Sequence, residues 1–144
     1  MKTIGISMVG SGFMGKLHTL SIGSYPIYYY PSDVQPRLEC IVGHTPQAAQ
    51  EGMKQFGFRR AATDWRTLLT DEKTDVIVIA TPNDLHRQIA IEAIRAGKHV
   101  FCEKPLGLNA QEAYEMYKEA ERMGVVADWE HPYKTMNPSF EAEE

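Results

Sequence analysis

The chain has 144 residues, enough for one domain, and 43% of them are apolar and 24% charged. Its net charge of −4 arises from interspersed acidic and basic residues. That balance excludes the clustered lysines and arginines of a nucleic-acid or membrane surface. Two cysteines, Cys40 and Cys102, are too few for a disulfide framework or a metal site, and both read as buried thiols. No leader pattern and no run of about 18 apolar residues is read, so a reducing cytoplasm is the expected setting.

Strand and helix patterns alternate from the start. Residues 4–9 are a short apolar run ending at glycine and read as a buried strand. Residues 13–23 read as a helix with Met14, Leu17, His18 and Ile22 toward one side. The stretch 24–36 holds Tyr25, Tyr28, Tyr29 and Tyr30 among three prolines. It reads as a binding lid or as an ordered insertion whose tyrosines pack on the domain, and the second is the expectation. A strand is expected over 37–42 and a helix over 46–56, with Pro46 in its first turn and Gly57 closing it. Ala61 and Ala62 form a very short strand, and Asp64 caps a short helix holding Trp65, Leu68 and Leu69. Trp65 reads as a packing residue.

Residues 75–80 contain Val-Ile-Val-Ile, the pattern of a strand buried on both faces. Asn83 or Asp84 is expected to cap the next helix, whose apolar positions are Leu85, Ile89, Ala93 and Ala96, with Gly97 at its end. Residues 100–102 are another strand. Asn109 starts a helix with an inward stripe of Ala113, Met116, Tyr117, Ala120 and Met123, stopped by Gly124. Residues 125–129 read as a last strand. The alternation predicts an α/β protein: a doubly wound parallel sheet in a three-layer α/β/α Rossmann fold, as a single domain over 1–130. The segment 131–144 is expected to be a poorly ordered tail.

Four clusters fall at the carboxyl ends of predicted strands, the edge where open α/β sheets bind ligands. The first is Gly10-Ser11-Gly12-Phe13-Met14-Gly15, between a strand and a helix. In such a loop the first glycine permits the turn, the second clears room for a pyrophosphate and the third brings the helix close to the sheet. The helix N-terminus then offers N–H groups and positive dipole to the anion. The second is Gly43-His44-Thr45, where a carboxylate would favour NAD by binding the ribose hydroxyl. None is there, and His44 and Thr45 can donate to a 2′-phosphate. The reading leans to NADP, with NAD or dual use open and a plain turn as the structural alternative. The third and fourth are Thr81-Pro82-Asn83-Asp84-Leu85-His86 and Glu103-Lys104-Pro105. A lysine there can hold a substrate oxygen on which charge develops.

In order and spacing, these clusters resemble the glucose–fructose oxidoreductase / inositol dehydrogenase / MocA family. The likeness runs through Gly10–Gly15, Thr81-Pro82-Asn83 with His86, and Ala96-Gly97-Lys98-His99-Val100 leading into Glu103-Lys104-Pro105-Leu106. It covers about residues 3–126. The resemblance implies a nicotinamide cofactor and a sugar, polyol or related hydroxyl substrate. It implies that Lys104 is catalytic, that Thr81, Asn83, His86 and Glu103 line the cofactor, and that a cis peptide precedes Pro105. The Gly43-His44 pair resembles members with Gly-Arg there, in keeping with NADP. In the family a second α/β domain follows, carrying most of the substrate pocket, a catalytic histidine and oligomer contacts. That domain is expected to be absent here, leaving a chain weak or inactive alone, or a binding module that meets a separate chain. The strand-six edge is the expected site of self-association or of that partner. The segment from Asp128 to Lys134 fits the family poorly, and a truncated or shifted reading frame is the hypothesis for it. Neither His131 nor His18 is convincing as a replacement base, and His18 is expected to be packed in its helix.

Overall fold

The computed structural model describes residues 1–129. They form one six-stranded sheet in the order β3-β2-β1-β4-β5-β6, every pairing parallel. The strands are β1 (Lys2–Val9), β2 (Val34–Val42), β3 (Arg60–Ala62), β4 (Val76–Ile79), β5 (His99–Cys102) and β6 (Ala127–Trp129). The helices between them are α1 (Phe13–Tyr28), α2 (Pro46–Phe56), α3 (His86–Arg95) and α4 (Ala110–Met123). The chain winds outward from β1 to β3, then crosses to the other side of β1 to begin β4. Right-handed crossovers in opposite directions place α1 and α2 on one face and α3 and α4 on the other.

Strand side chains alternate between the two faces, and the core divides accordingly. Val9, Val42, Ile77, Ile79, Val100 and Cys102 pack with Ile89, Ala93, Ile94 and Met116 of α3 and α4. Met8, Ile41 and Val78 form the second cluster, with Phe58 and the partly buried Ile22 and Phe101. The Val-Ile-Val-Ile run of β4 contributes to both, which is why it carries no polar position.

Start and stop signals behave as their chemistry dictates. Thr45, Asp64 and Asn109 each accept a backbone N–H with the side chain, at 3.1, 3.0 and 2.9 Å. Gly57, Gly97 and Gly124 take positive φ just past α2, α3 and α4. Asn83 and Asp84 do not cap α3. A single 3₁₀ turn, Asn83–Leu85, runs into the helix, and neither start carries a side-chain cap. The inward face of α3 is consequently His86, Ile89, Ala90, Ala93 and Ile94, while Leu85 and Ala96 are exposed. Tyr117 of α4 is also on the solvent side, 42% exposed.

The region after Gly23 differs most from expectation. Helix α1 continues through Pro26 to Tyr28. Proline removes one N–H, and the last exposed turn of a helix can lose that bond without ending. Three of the tyrosines do not pack on the domain: Tyr28, Tyr29 and Tyr30 are 81, 63 and 86% exposed, while the half-buried Tyr25 stacks on Tyr29. Strand β2 begins earlier than expected and includes Pro36. Strand β3 pairs only with Cys40–Val42, so at Pro36 β2 has a partner on one side and a missing N–H is tolerated.

Cys40 and Cys102 are buried free thiols. Burial pushes the Cys102 thiol up to about 12, and the neighbouring Glu103 carboxylate adds to this. Burial also raises Cys40, with Asp71 adding and Arg60 opposing. Reactivity belongs to the thiolate. Both thiols are therefore expected to resist an aromatic disulfide reagent at about pH 8 and to react when guanidinium unfolds the chain. Release of chromophore from the native chain would contradict this packing.

Candidate functional site

The four clusters lie side by side because their strands are neighbours in the order β2-β1-β4-β5. Three backbone bonds join their upper ends: Gly10 N–H to Val42 O at 2.9 Å, Ala80 N–H to Val9 O at 2.9 Å, and Glu103 N–H to Ile79 O at 3.0 Å. The result is one continuous edge at the topological switch point.

Within the first cluster the three glycines differ in kind. Gly10 has φ 107°, and a Cβ on it would stand 2.4 Å from the Ala80 carbonyl oxygen. No other residue fits that turn. A Cβ on Gly15 would meet the Gly10 carbonyl at 2.7 Å and the Met8 sulfur at 3.2 Å, so its absence lets α1 press against β1. Gly12 is the exception: a Cβ there would meet nothing within 4 Å. It is the N-cap of α1, and Lys16 N–H to Gly12 O is the first helical bond. The N–H groups of Phe13, Met14 and Gly15 precede that bond and so have no acceptor within the helix. Open space beside such a helix end suits a pyrophosphate. Phe13 is exposed and Met14 half-buried beside it.

At the end of β2, Gly43 is buried because α2 packs on it. A Cβ would lie 2.6 Å from Ala49 N. His44 and Thr45 are exposed, and the Thr45 hydroxyl accepts the Ala48 N–H that caps α2. The packing role of Gly43 was not legible in the sequence, where a plain turn was the structural alternative, and His44 lies at the surface.

At the end of β4, Pro82 is exposed and Thr81 and Asn83 are half-buried. His86 lies beneath the edge rather than on it. It is 1% exposed, with Nε2 2.9 Å from Thr81 O and Nδ1 2.8 Å from Pro105 O. Both ring nitrogens face backbone carbonyls, so the ring joins two loops and has no nitrogen left for a ligand.

At the end of β5, Glu103 is 6% exposed and Lys104 is exposed, and the Lys104–Pro105 peptide is cis. Glu103 Oε2 lies 2.7 Å from His18 Nε2, and the His18 ring meets the Phe101 ring edge-on with centroids 5.1 Å apart. His18 was expected as helix packing; it reaches the candidate site. The available signal was its spacing, three residues after Gly15, which puts it on the same sheet-facing side of α1.

None of the predicted cofactor-site residues lines an apolar groove lower on the sheet. That groove, about 690 Å³, lies beside α1 against the sheet and is bordered by Ile6, Ile22, Tyr25, Val78 and Phe101 together with His18. It is a bare part of the α1 face of the sheet, below the edge. Among the described residues no helix is long and apolar enough to cross a membrane.

Comparison with known proteins agrees with this geometry. The family model described as "Oxidoreductase family, NAD-binding Rossmann fold" (GFO_IDH_MocA) matches residues 4–131. Levoglucosan dehydrogenase of Pseudarthrobacter phenanthrenivorans is 38% identical over 126 residues, which is 88% of this chain and 32% of that protein. Inositol 2-dehydrogenase/D-chiro-inositol 3-dehydrogenase of Lactiplantibacillus plantarum is 29% identical over 121 residues, 77% of this chain and 35% of that protein. A solved structure of levoglucosan dehydrogenase in complex with NADH and levoglucosan superposes with a TM-score of 0.86 at 37% identity, covering 89% of this chain and 35% of that one. The chain thus spans about a third of the length of these relatives. With its sheet order, its glycine loop and the family match in agreement, the chain belongs to the glucose–fructose oxidoreductase / inositol dehydrogenase / MocA oxidoreductases and carries their NAD-binding Rossmann fold.

Proposed function

We propose that this chain binds NADP in preference to NAD along the edge described, as the cofactor-holding part of a dehydrogenase for a sugar or polyol hydroxyl. One observation carries the reading: the side of Gly12 is open over the N-terminus of α1, on the same edge as Glu103 and Lys104. The names of the relatives support the substrate class. The nicotinamide, when bound, supplies the hydride acceptor for the carbon bearing that hydroxyl.

The chain's own groups then have distinct tasks. The first turn of α1 holds the pyrophosphate through backbone N–H groups. Thr81, Pro82, Asn83 and Glu103 border the nicotinamide half. Lys104 is the catalytic residue of this reading: its ammonium donates to the substrate oxygen and steadies the charge that grows there as its proton leaves. Hydride transfer also needs a positioned substrate, a proton acceptor and exclusion of water. Weak or undetectable turnover by these residues alone is the expected behaviour, in the reducing cytoplasm that two free thiols suit.

The NADP preference rests on exposed His44 and the lack of a carboxylate at positions 43–45. Calorimetric titration of the folded chain is expected to show NADP binding more tightly than NAD. His44→Asp places a negative charge where the 2′-phosphate would lie and should weaken NADP by about tenfold, roughly 1.4 kcal/mol, while sparing NAD. Tighter binding of NAD by the unaltered chain would overturn the preference, and no binding of either would overturn the whole reading.

A second reading is a non-catalytic module that pairs with a separate substrate-domain chain. The uncovered groove beside α1 and the edge position of β6, with Val126 67% exposed, favour it. Sedimentation as a monomer at high concentration would count against self-association at these surfaces.

A further inference from the structure

Lys104 is flanked by two residues that are each held from a different element. On one side, Glu103 is fixed by its backbone, N–H to Ile79 O at 3.0 Å, and by its carboxylate, 2.7 Å from His18 Nε2. On the other, the Pro105 carbonyl lies 2.8 Å from His86 Nδ1. His18 belongs to α1, the helix that opens at the glycine loop. His86 opens α3, directly after the Thr81–Asn83 loop, and also reaches Thr81 O at 2.9 Å. We propose that His18 and His86 form a two-sided clamp that positions Lys104, tying its backbone to the two loops that border the cofactor. The proposal rests on the reading of Lys104 as the group that meets the substrate oxygen.

The physical case begins with Lys104 itself. It is exposed, and a lysine stem has four rotatable bonds, so packing does little to order its ammonium. Its placement must come from where the backbone launches it. The clamp supplies this on both sides. The His18 ring is itself fixed by its edge-on contact with Phe101, and His86 is enclosed at 1% exposure. Rings with so little freedom transmit position rather than average it. A carbonyl oxygen only accepts, so a ring nitrogen that carries hydrogen donates to the carbonyl it faces. The ring lies between the two loops, 5 residues from Thr81 and 19 from Pro105 in sequence.

Histidines that merely stabilised the fold would lower its melting temperature and leave Lys104 ordered in the folded chain. Positioning histidines predict the reverse emphasis. The test is amide ¹⁵N relaxation on the cofactor-free chain in His18→Leu, His18→Gln, His86→Leu and His86→Gln. At position 18 glutamine keeps an N–H donor close to where Nε2 faces Glu103; at position 86 it stands in for Nε2 toward Thr81 and not for Nδ1 toward Pro105, and leucine keeps no donor at either. The Lys104 amide is expected to have an order parameter of about 0.85 in the unaltered chain and below about 0.6 in the leucine variants. Val78 and Val100 in the sheet should be unchanged, and glutamine at position 18 should restore most of the loss. If His86→Leu does not fold, the partly exposed His18 pair carries the test, with Glu103→Gln as its reciprocal. A Lys104 amide unmoved by His18→Leu, or loosened equally with the whole sheet, would overturn the clamp. The measurement needs no cofactor. Failure of the unaltered chain to bind NADP or NAD would overturn the functional reading, and the relaxation result would still decide the clamp.

Discussion

Gly12→Asp is expected to abolish dinucleotide binding while leaving the domain folded. The two halves of that expectation have separate causes. The fold survives because a side chain at position 12 enters open space, with nothing within 4 Å of its Cβ. Aspartate is also a favourable N-cap, so α1 should hold or gain a few tenths of a kcal/mol. Binding fails because the carboxylate takes the anion's place at the helix end and repels a pyrophosphate there. A loss of more than about 100-fold, roughly 2.7 kcal/mol, is the anticipated size. Calorimetric titration with NADP and a thermal melt of the same sample check both halves. Gly10→Ala is the contrasting variant. With φ 107° and the Ala80 carbonyl 2.4 Å from its Cβ, it should damage the fold itself. Binding by Gly12→Asp within threefold of the unaltered chain would mean that the anion does not sit at this helix.

What could be read in the sequence was local. The glycine loop, the helix starts at Asp64 and Asn109, and the Val-Ile-Val-Ile strand each carry their meaning within a few residues. Chemistry of that range survives folding unchanged. Their alternation then predicts the parallel sheet, because right-handed crossovers leave few other arrangements. What could not be read depends on partners far away along the chain. His18 meets Glu103 across 85 residues; its spacing from Gly15 gives its side of α1 but not its partner. His86 resembled a surface ligand because it follows Thr81-Pro82-Asn83. Only the closeness of the β4 and β5 loops shows that both its nitrogens are spent on backbone. The face of α3 was misjudged for a related reason. With a 3₁₀ turn ahead of it and no side-chain cap, the inward stripe begins at His86, one residue past Leu85. At Pro26 the local rule was overridden, since a proline signal is weak in the last turn of an exposed helix. The expected tail, 131–144, and the odd segment running to Lys134 lie outside the described residues, apart from the backbone of β6 up to Trp129.

Gly5→Ala should be the most damaging single methyl group in the chain, at a position without any motif. Gly5 lies on β1 between β2 and β4. Its N–H donates to Asp75 Oδ2 at 2.7 Å, and its carbonyl accepts the Asp75 N–H at 2.8 Å. A Cβ on it would stand 1.8 Å from the Lys73 carbonyl oxygen and 3.3 Å from Glu39 Cγ. The turn before β4 must therefore move, and it is tied down. Thr74 Oγ1 is 2.7 Å from both Ser7 Oγ and Asp71 Oδ2. Lys98 Nζ donates to the Asp71 and Thr74 carbonyls, each at 2.7 Å. Glu39 cannot yield easily either, being 1% exposed and paired with Arg37. Overpacking against backbone of this kind costs about 3 kcal/mol or more. That is a large share of a typical domain stability of about 5–15 kcal/mol. Gly23→Ala is the internal control. Gly23 lies within α1 with nothing within 4 Å of its Cβ, so alanine there should stabilise by about 0.5–1 kcal/mol. The two changes add the same atom with opposite expected signs. Urea midpoints decide it: a Gly5→Ala chain as stable as the unaltered one would mean that the turn before β4 does not rest on β1.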